Sequence, residues 1–532
     1  MANRTSKVII AKGIRLDRNY KNIVNYTETQ MVNLVTAKAV ASFSNCSFLR
    51  TGEPLEVETP YGTALQADYI AFQNPDYNNK WFFAFIDKVE YRSNNNTRIY
   101  YTIDVCSTWF DYWTAQKCWV IREHTNTDNP GDNLVPENLE MGEFVNNGSR
   151  INISGTDYYA FALISTAAPD DSTKYVYNNL GGVLASGRLF CFTQAAQFGN
   201  FVLKLSNEGK LDAISQAYLI PYAAIGGNLH LNSDFEPIGD TDEELYYRYK
   251  GKNEPYTRDT NIVRPSSLNG YTPVNKKLLT APFMSLVLSN SAGTVSNYAY
   301  EFFGDPATCK FTCEYVPVVG CSFIAIPRNY KGIDKNMNEL IVGPKFPALQ
   351  WTGDVYTNWL TQNAVNIGIG IVSDGIGLVK SAASGDPNNI VNTIESTGFD
   401  IANKMAEFYK HSLVPMSIRG SSNVGDVMSA AKELCIYGYP MSITYQFAER
   451  IDQFFTRYGY ATNKLKMPNQ TGRATFNYVQ IAAGESIGYP SANFSVPPAD
   501  MEIINNAYRS GVTIWHNHDN IGNFDLANGI VR

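Results

Sequence analysis

From Trp81 to Tyr91 the chain reads WFFAFIDKVEY, with large side chains at odd and even positions alike. Successive side chains of an extended strand point to opposite faces, so Trp81, Phe83 and Phe85 lie on one face and Phe82, Ala84 and Ile86 on the other. A strand with one wet face alternates apolar with polar. This one does not, and is expected to be covered on both sides, by a core and by a neighbour. The turn-forming SNNNT at Ser93–Thr97 leads into a second run, RIYYTIDV, and together they predict a β-hairpin. A chain that contains such a strand must supply two apolar layers to cover it, so sheet packing dominates the fold.

The rest of the chain supplies such layers. At 532 residues it exceeds the size at which one core keeps growing. With only 17% charged and 13% aromatic residues it suits a large β-rich assembly better than a compact enzyme. KVIIAKGIRL, VASFSNCSFLR and PLEVETPYG read as short strands, with one helix near Tyr26–Ala37. Further strands are expected in DYYAFALIST, RLFCFTQ, KLDAISQAYLIPYAAI, PFMSLVLSN, YAYEFFG and CSFIAIP. The charged stretch GDTDEELYYRYKGKNEPYTRDT reads as a solvated loop or an inter-subunit contact. Near the end, Phe447, Ile451, Phe454, Phe455 and Tyr458 mark a helix, and FNYVQIAAGE a strand.

One region departs from this pattern. Asn363–Lys380 reads NAVNIGIGIVSDGIGLVK, two Gly-Ile-Gly copies seven residues apart, interrupted by one charge, Asp374. Ile367, Ile369 and Ile371 alternate with Gly368 and Gly370 as a strand would, yet the sevenfold spacing also aligns Gly368 with Gly375 and Ile369 with Ile376 on a helix. A segment compatible with both periods suits a role with a stored and a deployed form. Around it Val355 and Trp359, then Ile390, Ile394, Ile401, Met405 and Phe408, then Val424, Val427, Met428 and Ala431 form helical stripes. The expected organisation is a β domain over 1–145, central β domains over 146–350, a hydrophobic insertion over 351–440, and a segment over 441–532 that completes the scaffold.

Candidate chemistry is thin. No phosphate-binding GxxxxGK[ST], zinc-protease HExxH, hydrolase GxSxG or dinucleotide-binding GxGxxG after a strand occurs. His124 with Glu123, Asp128 and Asp132 is conceivable as a metal or acid–base cluster, but Asp- and Asn-rich turns explain themselves by bonding their own backbone. His516 and His518 form an HxH pair without a third ligand nearby, so structural roles are favoured. The eight cysteines include no CxxC pair and read as buried thiols of a protein made in a reducing compartment. The start of the chain lacks the apolar stretch of a secretory signal, and no long uncharged apolar run is present. No cofactor, metal or catalytic residue is expected. A net charge of −7 argues against a standing nucleic-acid-binding surface.

Several blocks, in order, resemble the tail knob, or distal tail tube, proteins of small phi29-like podoviruses. They are WFFAFIDKVEY, RIYYTIDVCSTW, VIREHTNTD, PENLEMGEF, the run from Lys252 through PVNKK to Asn290, NYKGIDKN, FPALQWTGDVYTNWLTQN, IDQFFTRYGYATNKLKMPN and GVTIWHN, and they span nearly the whole chain. The resemblance implies a mainly β fold with α+β elements. It implies stacked β-barrel or sandwich domains forming a ring-shaped tube, with a helical and glycine-rich insertion.

It also implies a virion protein at the distal end of a short tail: a homo-oligomer, as a hexamer, joined to a lower collar component and conducting double-stranded DNA without binding it specifically. Six copies at −7 each would carry −42, and acidic charge facing the lumen would repel phosphate. Ile367, Gly368, Ile369, Gly370, Ile371, Val372, Gly375, Ile376, Gly377, Leu378 and Val379 are then the expected plug, which penetrates the host membrane during ejection. Two other functions are consistent with a tail protein: binding or degrading cell-wall carbohydrate through an aromatic face and paired carboxylates, or adhesion to a host receptor. A glycan binder has no use for the Gly-Ile insertion, which favours the structural reading.

Overall fold

The expected hairpin is present, as the strands Lys80–Ser93 and Asn96–Ile103, antiparallel with Ser93 opposite Asn96. The computed structural model describes residues 6–46, 53–153, 159–170, 177–180, 183–186, 188–210, 213–252, 254–289, 295–304, 307–316, 322–328, 330, 349–352, 436–490 and 496–531. The fold is mostly β-sheet with a smaller share of helix, and the chain divides into two compact units. The first comprises Met1–Met141, Pro273–Leu278 and Gln446–Arg532, and the second Gly142–Thr272 and Leu279–Tyr445.

In the first unit the hairpin belongs to a six-stranded sheet ordered Ala39–Cys46, Ser6–Ala11, Tyr69–Asn74, Lys80–Ser93, Asn96–Ile103, Leu55–Val57. Its two faces enter two different cores. Phe82 and Ala84 join Val8, Ile10, Ile70 and Phe72 in one, and Phe83 and Phe85 join Ile9, Ala11 and Ala71 in the other. The second core is closed by the helix Glu28–Ala37 through Met31 and Val35. Thr27 and Gln30 start that helix with a capping box, worth about 0.5–2 kcal/mol at the Thr27 side chain alone.

The first core is closed by a second sheet, ordered Asn22–Val24, Val512–Trp515, Phe476–Ile481, Cys118–Glu123, Tyr460–Lys466, which contributes Val120, Val479, Ile481 and Ile514. The helix Pro498–Ser510 adds Ile504 and Tyr508. Each buried phenylalanine of the hairpin contributes about 1.5–3 kcal/mol. The two apolar layers therefore come from one chain, which corrects the ground on which a neighbouring subunit was expected: two-sided aromatics here do not by themselves require a partner.

The second unit holds a sheet ordered Phe144–Asn146, Tyr437–Ile443, Met284–Ser289, Val295–Tyr298, with Ile151–Asn152 also on Tyr437–Ile443. Another runs Ile214–Pro221, Tyr159–Ser165, Arg188–Phe192, Tyr246–Tyr249, Phe235–Ile238, and a third Tyr256–Val263, Thr308–Val316, Ser322–Pro327, Leu349–Thr352. The helix Ala195–Asn207 packs Phe198, Phe201, Val202 and Leu205 against Leu163, Phe190 and Phe192.

Two expectations change here. The charged stretch taken as a loop or subunit contact contains the strand Tyr246–Tyr249 and the start of Tyr256–Val263, with Tyr247, Tyr249 and Tyr256 buried; Arg248, between the first two, pairs with Glu236 on the adjacent strand. In YAYEFFG only Tyr298 is strand, and Tyr300–Phe302 is a 3-10 turn.

Candidate functional site

A dense polar cluster lies in the first unit, around Pro273–Leu278, a short segment whose sequence neighbours on both sides belong to the second unit. The side chain of Asp452, 1% exposed on the helix Tyr445–Tyr458, receives two consecutive backbone N–H groups of this segment. Val274 donates to Oδ2 at 2.7 Å and Asn275 to Oδ1 at 2.9 Å. The Asn275 amide then donates to Asp452 Oδ1 at 2.8 Å and Thr456 Oγ1 at 2.8 Å. A bidentate carboxylate of this kind fixes both the register and the direction of the segment it holds.

Lys277 anchors the other end. Its ammonium, 4% exposed, donates to Glu137 Oε1 at 2.6 Å and to the Val135 carbonyl at 2.8 Å. Arg122 holds the second Glu137 oxygen, and the Ala461 N–H donates to Oε1 at 2.8 Å. The ring centroids of Tyr460 and Phe455 lie 5.3 and 5.8 Å from the Lys277 nitrogen. Burial pulls the Lys277 pKa down, and the Glu137 carboxylate opposes it. Asp128 accepts from the Tyr460 hydroxyl and, at 3.3 Å, from the Lys276 N–H; burial raises its pKa against these bonds.

Gly459, at φ +65, ends the helix and lets the strand Tyr460–Lys466 begin at once, its N–H capping on the Phe455 carbonyl at 2.8 Å. An added Cβ there would stand 2.1 Å from the Glu123 carbonyl oxygen.

The residues considered for acid–base or metal chemistry are absorbed by this framework. Glu123 is held by the Lys466 ammonium and, at 2.8 Å, by the Asn469 N–H. His124 accepts the Tyr478 N–H at Nδ1, 2.7 Å away, and bonds the Thr456 carbonyl through Nε2 at 3.1 Å. Those partners fix a neutral tautomer, and burial, reinforced by Arg473, lowers the His124 pKa to about 3. Asp132 is a turn residue that accepts from the Asn129 N–H at 3.1 Å.

The HxH histidines are divided between other bonds. His516 Nε2 meets Asn477 Oδ1 at 3.1 Å, whereas His518 Nε2 accepts the Arg15 N–H at 2.9 Å and its Nδ1 meets Asp519 at 3.1 Å. Among the described residues no group of three or more His, Cys, Asp or Glu converges as a metal site would require. The six described cysteines are buried thiols without disulfides, and burial pushes Cys118 up to about 11 and Cys313 up to about 12. A cleft of about 710 Å³ in the second unit is lined by Tyr222, Asn228, Lys252, Glu254, Tyr256 and Arg258.

Ile367–Val379 and the helical stripes around it lie outside the described residues. Among those described, no helix is long and apolar enough to cross a membrane. The described arrangement ties distant segments of this one chain together. Four blocks singled out in the sequence meet in it: VIREHTNTD brings Arg122, Glu123, His124 and Asp128, PENLEMGEF brings Glu137, PVNKK brings Asn275 and Lys277, and IDQFFTRYGYATNKLKMPN brings Asp452, Thr456, Tyr460 and Asn469. Reading by motif missed that these form one site, because the blocks lie far apart along the chain.

Comparison with known proteins says what kind of protein this β-rich chain is. Residues 246–529 match the family described as Bacillus phage phi29 tail knob protein gp9, C-terminal domain, and residues 4–114 match the caudoviral major tail protein N-terminus. The chain is 22% identical over 602 residues to the tail knob protein gp9 of Bacillus phage phi29, covering 98% of each. It is 22% identical over 613 residues to that of Bacillus phage B103, again with 98% of each covered. The solved structure of the bacteriophage C1 tail knob protein gp12 shares the fold, with a TM-score of 0.63 over 99% of this chain and all of that one at 13% identity.

The protein is therefore a structural component of a phage tail. Within that class it belongs to the family of phi29-type tail knob proteins.

Proposed function

We propose that six copies of this chain form a tube at the distal end of the tail, attached to a lower collar component, through which double-stranded DNA leaves the virion. Ile367–Val379 closes the tube before ejection and penetrates the host membrane when it opens. The observation that carries this reading is the Gly-Ile run of Asn363–Lys380 in a chain of the tail knob family. Burying Ile367, Ile369, Ile371, Val372, Ile376, Leu378 and Val379 is worth about 10–20 kcal/mol per chain at roughly 1.5–3 kcal/mol each, before ordering costs. Asp374 opposes insertion by about 2.5–3.5 kcal/mol at the bilayer centre, so the apolar contribution wins. A lumen lined with part of the net acidic charge lets DNA slide without sticking.

The test is the triple substitution Ile369→Asp, Ile371→Asp and Ile376→Asp in the full chain. Assembly is expected to survive while dye release from liposomes and delivery of DNA into cells are lost. Unchanged leakage and infectivity in a well-assembled triple variant would refute the membrane role.

A further inference from the structure

The cleft of the second unit has a fixed wall on each side. One is the 3-10 turn Tyr222–Ile225 with the glycines that follow it, and the other is the run Lys252–Arg258, which leads into the strand Tyr256–Val263. Gly226, at φ +75, brings its backbone so near the second wall that an added Cβ would stand 2.7 Å from both Tyr256 Cε1 and Asn232 Nδ2. Gly227, at φ +96, has nothing within 4 Å of the same position and lines the open space. The turn is pinned by the Gly227 N–H, which donates to the Tyr222 carbonyl at 2.6 Å, and by Asn232 Nδ2, which donates to the Ile225 carbonyl at 2.5 Å. In the second wall Tyr256, 6% exposed, donates its hydroxyl to Asp234 Oδ2 at 2.8 Å. The Lys252 ammonium stands 4.4 Å from the Tyr256 ring centroid and 3.9 Å from that same oxygen. At about 710 Å³ the cleft lies within the range of roughly 300–1,000 Å³ typical of preformed small-molecule sites.

The lining selects the ligand. Lys252 and Arg258 can donate, Glu254 can accept and Thr257 can do both, while Asn228, whose Oδ1 takes the His230 N–H at 3.0 Å, keeps its NH2 group to donate. An anion would face the Glu254 carboxylate, a cation would face Lys252 and Arg258, and an apolar ligand would leave all these groups unpaired. A hydroxyl suits every one of them, because it accepts from the donors and donates to the carboxylate. Tyr222, Ala223 and Pro255 add the apolar surface on which the C–H face of a sugar ring can lie. We infer that this cleft binds a saccharide, a short chain of pyranose rings whose hydroxyls are read by Asn228, Glu254 and Thr257. Such recognition is independent of the tube and its plug, which involve other residues.

The test is saturation-transfer NMR of the full parent chain with mono- to trisaccharides of glucose, galactose, mannose and the N-acetylated hexosamines, followed by titration of the strongest. Saturable binding with a Kd of about 1 mM is expected. Glu254→Gln, at an exposed position that leaves the fold intact, should weaken it about tenfold. Asn228→Asp keeps the acceptor for the His230 N–H and removes the donor, and should weaken it by about the same factor. Thr257→Trp, which fills the cleft from an exposed strand position, should abolish binding. Glu243→Gln, exposed and outside the cleft, should bind as the parent does. Circular dichroism checks the fold of each variant. No transfer to any of the sugars, parental affinity in the three cleft variants, an equal loss in Glu243→Gln, or displacement of the sugar by inorganic phosphate would overturn the saccharide site.

Discussion

His124 makes the first unit sensitive to acid in a way that can be isolated. Its Nδ1 accepts the Tyr478 N–H at 2.7 Å, so a proton on that nitrogen would set two donors against each other in a site the ring cannot leave. The folded-state pKa of about 3 lies below the ordinary value of 6.5. The unfolded chain therefore binds the proton first, and stability present above about pH 6.5 is lost as pH falls toward 3. The loss is about 1.4 kcal/mol per pH unit across that window, or about 3 kcal/mol at about pH 4.5.

The assay is denaturant unfolding followed by tryptophan fluorescence between about pH 7.5 and 4.5, comparing the parent with His124→Asn. Asparagine keeps an acceptor for the Tyr478 N–H but does not titrate. The variant should be less stable at neutral pH, and the gap should close by about 3 kcal/mol on acidification, since carboxylates and the other histidines titrate equally in both. Two stability curves that run parallel over the whole range would show that His124 is not the sensing group.

Two further outcomes follow from the same cluster. Glu137→Ala leaves Arg122 and Lys277 without their shared carboxylate and is expected to cost about 3–5 kcal/mol of unfolding free energy by urea titration; Glu137→Gln, which retains an acceptor, should cost less. Gly459→Ala should cost clearly more than the roughly 1–2 kcal/mol of a left-handed alanine, because its Cβ meets the Glu123 carbonyl. Gly13→Ala, at φ +79 with no atom within 4 Å of the added carbon, should show the backbone cost alone in the same urea titration.

The hairpin was legible because its information is local: two-sided apolar parity over Trp81–Tyr91 followed by an asparagine turn admits one reading. The helix Tyr445–Tyr458 was legible for the same reason, through its 3.6-residue stripe. The helix Ala195–Asn207 carries an equally good stripe in Phe198, Phe201, Val202 and Leu205, but strand-like runs on either side and Gly199 within it masked the period. The stretch holding Tyr246–Tyr249 reads as a solvated loop or a subunit contact when its charges are counted and its alternation is not; Arg248 sits between two buried tyrosines. The polar cluster could not be assembled from spacing at all. Lys277 and Glu137 are 140 residues apart, and Asn275 and Asp452 177, and no periodicity links residues at such distances.

The second sheet of the first unit imposes a schedule on synthesis. Its strand Cys118–Glu123 leaves the ribosome early, yet the partner that covers it arrives much later, His124 and Tyr478 being 354 residues apart. At about 5–20 residues per second that is a delay of roughly 20–70 s. Throughout it the hairpin's inner face, Phe82 and Ala84 among it, lacks the sheet that will close over it. Every nascent copy must therefore cross a long interval with half of a hydrophobic sandwich open, beside other copies in the same condition. Assistance by a holding chaperone, or translation slow enough to keep polysomes sparse, would act on yield at this stage, before any tail is built.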